Sequence, residues 1–170
     1  MKHISIFILT YMLISLSAIC FGDEVDFRKV RWGMTKIEVI SSEDLKPESF
    51  AGPSITYRTL LLGKEMYLIY EFIDNKLIDA VYLFLAETEN DYTEIERIIS
   101  KKYGEPISKR NTGITDFYYK WDTPLTEILL QPDKGKTCRV EYFSKKLRKY
   151  RLKQEKRQSV KKEQELLSQF

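Results

Sequence analysis

Histidine and cysteine are almost missing from this 170-residue chain, which has one histidine, His3, and two cysteines, Cys20 and Cys138. Two thiols cannot build a disulfide framework or a zinc cluster. His3 and Cys20 both fall in the first 22 residues, which read as a removable leader, and the mature protein would then hold no imidazole. Ser-His and Cys-His catalysis and histidine metal sites are excluded on that reading. No Gly-rich phosphate loop, metal-ligand spacing or nucleophile elbow occurs either, so the expectation is no cofactor and no metal. What is present suffices for a core: 43% of residues are hydrophobic and 13% aromatic, which argues against wholesale disorder. The length suits one ordinary domain or two small halves sharing a sheet.

Residues 1–22 open on Lys2 and His3, run through an apolar stretch and end in small residues before Asp23-Glu24. A positive start, a short apolar core and a small-residue exit mark a secretory signal, and the run is short for a membrane span. The protein is therefore expected to be exported, periplasmic or secreted, with cleavage after Gly22. The alternatives are an uncleaved anchor and lipidation at Cys20, where Ser17-Ala18-Ile19-Cys20 loosely follows a lipobox.

The stretch from Met66 to Leu85, MYLIYEFIDNKLIDAVYLFL, predicts two strands joined at Asp74-Asn75, residues that readily adopt left-handed backbone angles. A two-residue loop sets Tyr70 opposite Asp79 and Glu71 opposite Ile78. A three-residue loop would oppose Glu71 and Asp79, two like charges, so the shorter loop is preferred. Both faces of this hairpin are apolar, and such a sheet must be covered twice, by its own helices or by a partner.

Before it, Thr35 and Glu38 form a capping box for a short helix through Ile37, Val39 and Ile40, entered through Gly33 and ended before Pro47. Trp32 at this corner reads as a core anchor. A strand is expected near Ile55 to Leu62. After the hairpin, Tyr92 to Tyr103 forms a second helix with Ile95, Ile98, Ile99 and Tyr103 on one side, stopped by Gly104 and Pro106. Asp116–Trp121, Leu125–Gln131 and Thr137–Phe143 alternate as three further strands. The expected fold is thus α+β, an antiparallel sheet in the order helix, three strands, helix, three strands over residues 23–143, in two related halves.

Residues 144–170 differ in kind: ten Lys or Arg against three acids give a net +7. The full chain is +3 and Lys2 gives the leader +1, so the body 23–143 carries −5. This basic tail lacks Gly and Pro and should be helical. Its apolar residues are too sparse for a heptad seam.

Trp32-Gly33-Met34-Thr35 through Val39 resembles the opening of the SmpA/OmlA (BamE-like) domain, and Tyr103-Gly104-Glu105-Pro106 resembles the Gly-x-Pro that ends such helices. The paired helix-plus-sheet order resembles the tandem architecture of β-lactamase-inhibitor-like proteins. What these resemblances imply is an exported, non-catalytic domain that binds other proteins.

The residues therefore support a binding or assembly module of the cell envelope. Tyr67, Tyr82, Phe84, Tyr119 and Trp121 could form an aromatic face for an envelope protein partner, or could instead be the second half of the core beneath the basic helix. Lys145, Lys146, Arg148, Lys149, Arg151 and Lys153 would meet an anionic membrane surface. Nucleic acid is set aside because of export, not charge. The competing class is a small hydrolase using the strand carboxylates Glu71, Asp79, Glu127 and Glu141 as an acid/base pair. Cys138 beside Arg139 is either a reactive thiol or a buried inert one.

N-terminal mass analysis of the exported protein should find Asp23 as the first residue. A diacylglyceryl mass on Cys20 would replace cleavage after Gly22 with a lipid anchor.

Overall fold

The computed structural model describes residues 25–169, so the leader expected over 1–22, with His3 and Cys20, falls outside the described residues. Three helices and eight strands follow in order: α1 (Lys36–Ser42), β1 (Ser49–Ala51), β2 (Ser54–Leu61), β3 (Lys64–Ile73), β4 (Lys76–Leu85), α2 (Glu89–Tyr103), β5 (Ser108–Asn111), β6 (Phe117–Asp122), β7 (Thr126–Pro132), β8 (Thr137–Ser144) and α3 (Lys145–Leu167). The strands make one antiparallel sheet of order β1-β2-β3-β4-β8-β7-β6-β5. The α+β class is as expected, but each half has four strands. The sequence gives no apolar alternation for β1 or β5, whose seven residues are all exposed.

The strand order maps onto itself when the halves are exchanged. Helix-plus-meander α1–β4 and helix-plus-meander α2–β8 meet through their last strands, β4 against β8, as a dyad perpendicular to the sheet requires.

Local chemistry sets the helix starts. At α1, Glu38 accepts from the Thr35 amide at 2.7 Å, closing the expected capping box. At α2, the Asp91 carboxylate accepts from the amides of Glu87 and Thr88 at 2.9 and 2.8 Å and pairs with Lys64. The hydrogen bond from Lys64, then that from Thr88, holds the Asp91 carboxyl down at about 2. This earlier cap starts α2 three residues before Tyr92. Gly104, at φ 85°, ends it, and its carbonyl accepts from the Trp121 indole at 3.0 Å.

The β3–β4 turn at Asp74-Asn75 has both residues left-handed, φ 49° and 58°, as a two-residue hairpin with right-handed strand twist demands. Beyond it the register departs from expectation. Phe72 faces Leu77, but Glu71 faces Asp79, so Ile78 is the extra residue of a β-bulge. A one-residue slip exchanges the faces of all that follows. Ala80, Tyr82 and Phe84 join Met66, Leu68, Tyr70 and Phe72 in the core, and Val81 and Leu83 move to the opposite face.

The core lies between the first face of the sheet and α1, α2 and the segment Phe27–Val30. It is aromatic: Phe27 packs against Tyr70, Tyr82 and Tyr142, and Tyr92 stacks on Phe117 at 3.9 Å. Within it sits a polar knot. Both Glu43 oxygens accept from Arg28 at 3.1 Å, Arg28 also donates to Tyr82 Oη at 2.9 Å, and Tyr70 Oη donates to Glu43. Burial, then the bond to Glu43, pushes the Tyr70 phenol up, keeping it a donor. Trp32 is half-buried against this core as expected, its indole donating to Thr126 Oγ1 at 2.8 Å.

Glu43→Ala strands Arg28 and Tyr70 without their acceptor and should cost about 3 kcal/mol in urea unfolding. Glu43→Leu combined with Arg28→Met should recover most of that loss; a double variant as unstable as the single one would show that the ion pair is not the source.

Candidate functional site: a basic helix docked on an acidic sheet face

On the second face, opposite residues in the ladder share a row. One row reads Glu71, Asp79, Phe143, Glu127, Asp122 across β3, β4, β8, β7 and β6. The next reads Ile69, Val81, Glu141, Leu129, Lys120. The structure thus brings all four carboxylates singled out in the sequence, Glu71, Asp79, Glu127 and Glu141, onto one face. It sets them under α3 rather than around an open cleft.

The helix crosses the acidic row. Lys145 pairs with Asp122 at 2.5 Å and donates to the Thr123 carbonyl at 2.6 Å. Arg148 pairs with Glu127 at 3.2 Å and lies 3.8 Å from the centre of the Phe143 ring. Arg151 reaches Glu71 at 3.6 Å and Asp79 at 3.9 Å, and Tyr150 Oη donates to Asp74 at the hairpin turn at 2.8 Å. Three residues along a helix advance ~4.5 Å, close to the ~4.8 Å between neighbouring strands, so Lys145 meets β6, Arg148 meets Glu127 of β7 and Phe143 of β8, and Arg151 reaches on to β4 and β3. Ser144, whose hydroxyl accepts from the Leu147 amide at 3.3 Å, turns β8 directly into this helix.

Asp79 is the strained member, with 2% of its surface exposed. Burial, then the Glu141 carboxylate and a hydrogen bond shared with it, then Glu71, raise its carboxyl well above the ordinary range, and Arg151 opposes them. Asp79 is therefore the member of this cluster that holds a proton most readily. Glu141 is also met by Arg139 at 3.4 Å, and Glu127 by Lys120 at 2.7 Å. Each candidate acid or base is thus neutralised by a neighbour.

The aromatic face proposed for a partner is corrected. Tyr82, Phe84, Tyr119 and Trp121 are buried in the first-face core beneath α1 and α2, and only Tyr67 is exposed, on the opposite face. The bulge at Ile78 accounts for Tyr82 and Phe84, and the covering helices α1 and α2 account for the rest. The covering helix is also not the basic one. Cys138 is 1% exposed, and burial pushes its thiol up to about 11, which is the inert reading.

Of the six basic residues, Lys145, Arg148 and Arg151 point into the body, and Lys146, Lys149 and Lys153 are exposed. Lys76, Lys146 and Lys149 share a groove of about 720 Å³ with Trp32 and Leu125 at the root of α3. None of these three has a carboxylate partner among the described residues. From Glu155 to Gln169 every residue is exposed, and past Glu155 the ion pair Lys161–Glu165 at 3.7 Å stays within the helix. A basic helix lying over the sheet was among the expectations, but its pairing with the acidic row was not. Its signal was the spacing Lys145, Arg148, Arg151 beside a body of net charge −5.

Because Asp79 prefers its proton when folded, its contribution to stability is largest at low pH and falls as pH rises from the ordinary aspartate range through its raised folded value. Asp79→Asn, whose amide can donate to Glu141 without a titratable proton, should match or exceed the parent's urea midpoint at pH 7 and lose this dependence above the ordinary aspartate range. A variant less stable than the parent at pH 7 with an unchanged pH profile would contradict the assignment.

No protein-family model matches the chain, and no curated protein does. Neither the SmpA/OmlA (BamE-like) nor the β-lactamase-inhibitor-like resemblance is shown by these comparisons. Among solved structures the chain is similar to a DUF4309 family protein, YjgB, from Bacillus subtilis, with 15% identity over 65% of this chain and 78% of that one and a TM-score of 0.41.

Proposed function

We propose that this protein is an exported, non-catalytic binding module of the cell envelope, and that its binding element is the basic helix α3 presented to an anionic surface. The observation that carries this reading is the division of α3 into two parts. Lys145, Arg148 and Arg151 fix its first turns to the acidic row, and everything from Glu155 outward is exposed, with Lys156, Arg157, Lys161 and Lys162 on it. Lys146, Lys149 and Lys153 add cations near the root.

The apolar residues of α3 favour surface attraction over insertion. At 100° per residue, Leu152, Val160, Leu166 and Leu167 share an arc of about 120°, but Lys156, Ser159 and Glu163 fall in the same arc and Leu147 lies outside it, so no continuous apolar side forms. Attraction to anionic headgroups would therefore be electrostatic and weakened by salt. A protein partner with an acidic surface offers the same chemistry and is the second occupant this arm would suit.

The hydrolase reading has one observation in its favour, the gathering of Glu71, Asp79 and Glu141. Arg151, Arg139 and the overlying helix use those carboxylates for docking, and the groove at the root of α3 is lined by lysines instead.

The test is a chain ending at Glu155, which keeps the docked turns and removes four distal cations. It should keep the parent's urea midpoint and bind phosphatidylcholine vesicles containing phosphatidylglycerol far more weakly, by about fivefold per cation lost. The difference should shrink in high salt. Equal vesicle binding by both chains would sink the proposal. Cutting at Phe143 instead would uncover Phe143 and Asp79 and should lower stability as well.

A further inference from the structure

The two edges of the sheet are not equally guarded. β5 pairs with Phe117–Lys120, four of the six residues of β6, whereas β1 pairs only with Ser54–Thr56 of the eight residues of β2. Tyr57 to Leu61 therefore forms an open edge. Its polarity can be read from its neighbours. The Thr56 carbonyl accepts from Glu48 on the outer side at 2.8 Å, and the Pro53 carbonyl accepts from Phe72 on the inner side at 3.1 Å. Backbone groups alternate along a strand, so the N–H and C=O of Arg58 and Leu60 point outward, with no partner among the described residues.

Proteins usually keep such an edge from pairing with a lysine, a proline or an inward charge. Here the sequence is Tyr57-Arg58-Thr59-Leu60-Leu61, and its one charge is engaged by Glu48 at 2.8 Å and by the Tyr67 ring. Leu60 is 69% exposed.

We propose that a second copy of this chain pairs antiparallel with this edge, β2 against β2, about a dyad through Thr59. Three observations select a second copy over an arbitrary extended peptide. A dyad at Thr59 sets Arg58 of one copy opposite Leu60 of the other, so their outward groups form two hydrogen-bonded pairs and no like charges meet. The open edge is bounded by β1 at one end and by the turn at Leu62-Gly63, φ 57° and 72°, at the other. The incoming strand therefore turns away just where it would meet Glu48. The pairing also repeats the antiparallel, dyad-related junction that the chain already makes between β4 and β8. The inference is independent of what α3 binds, and it would place two basic arms on one assembly.

The experiment is sedimentation equilibrium of the full chain together with cysteine cross-linking. The parent should sediment as a monomer–dimer mixture. Thr59→Cys, directly opposite itself at a non-hydrogen-bonded position, should form a covalent dimer under mild oxidation well beyond the parent's baseline. Leu61→Cys points to the same face but lies about 13 Å from its counterpart and should not. Leu60→Pro removes an outward N–H that the monomer does not use, and should raise the dimer dissociation constant about tenfold or more with an unchanged urea midpoint. Sedimentation as monomer at the highest soluble concentration, or equal cross-linking of Thr59→Cys and Leu61→Cys, would overturn the proposal. So would an unchanged dissociation constant for a folded Leu60→Pro chain.

Discussion

The bulge at Ile78 is the constraint from which the second face of the sheet follows. A regular ladder from the Asp74-Asn75 turn would have opposed Glu71 to Ile78 and kept the two acids apart. The extra residue instead places Glu71 directly opposite Asp79, with Glu141 in the adjoining row. Like charges opposed across a ladder are unfavourable, and a carboxylate with 2% exposure cannot turn to water for relief. The remedy is the raised proton affinity of Asp79 and the Arg151 guanidinium, 3.6 Å from Glu71 and 3.9 Å from Asp79. The docking of α3 therefore answers a requirement that the sheet itself creates.

The same slip serves the first face. Without it Tyr82 and Phe84 would leave the core, and Arg28 would lose the hydroxyl that it bonds at 2.9 Å. The protein thus gains its aromatic core and incurs its acidic cluster through one backbone irregularity. Covering the sheet twice, as its composition demanded, takes two different chemistries: α1 and α2 bury apolar side chains on one side, and α3 offers cations on the other while burying no residue of its own.

Much of the chain was legible where local chemistry decides structure. Thr35 with Glu38, Asp74-Asn75, and Gly104 with Pro106 mark helix and hairpin limits because caps and left-handed turns depend on a few adjacent residues. The four strand carboxylates were identified, and so was the segregation of charge between body and tail. The bulge was not, because nothing in Leu77-Ile78-Asp79 distinguishes an extra residue from a regular one. Its consequence was a wrong division of faces and an aromatic binding patch that is in fact core. β1 and β5 escaped because three or four exposed residues carry no alternation. That the basic helix could cover the sheet was read, but the face it covers was not, because the contacts of Arg151 with Glu71 and Asp79 join positions far apart in sequence.

Docking also explains how the outer half of α3 can be a helix. A segment of the length of Lys156–Leu167, taken alone in water, would be marginal, because the first turn fixes several residues for a single hydrogen bond. In the intact chain that first turn is formed on the sheet by Ser144, Lys145 and Arg148, and the outer segment only has to propagate. It does so with good helix formers, without Gly or Pro, and with Lys161 four residues before Glu165. Its cations are accordingly held along a rod before any anionic surface is met. Less conformational freedom remains to be lost on binding than a flexible tail of the same charge would give up. Under the proposed function the acidic body would contribute to binding indirectly: by fixing the root of the helix it sets the order of the charges that would meet an anionic surface.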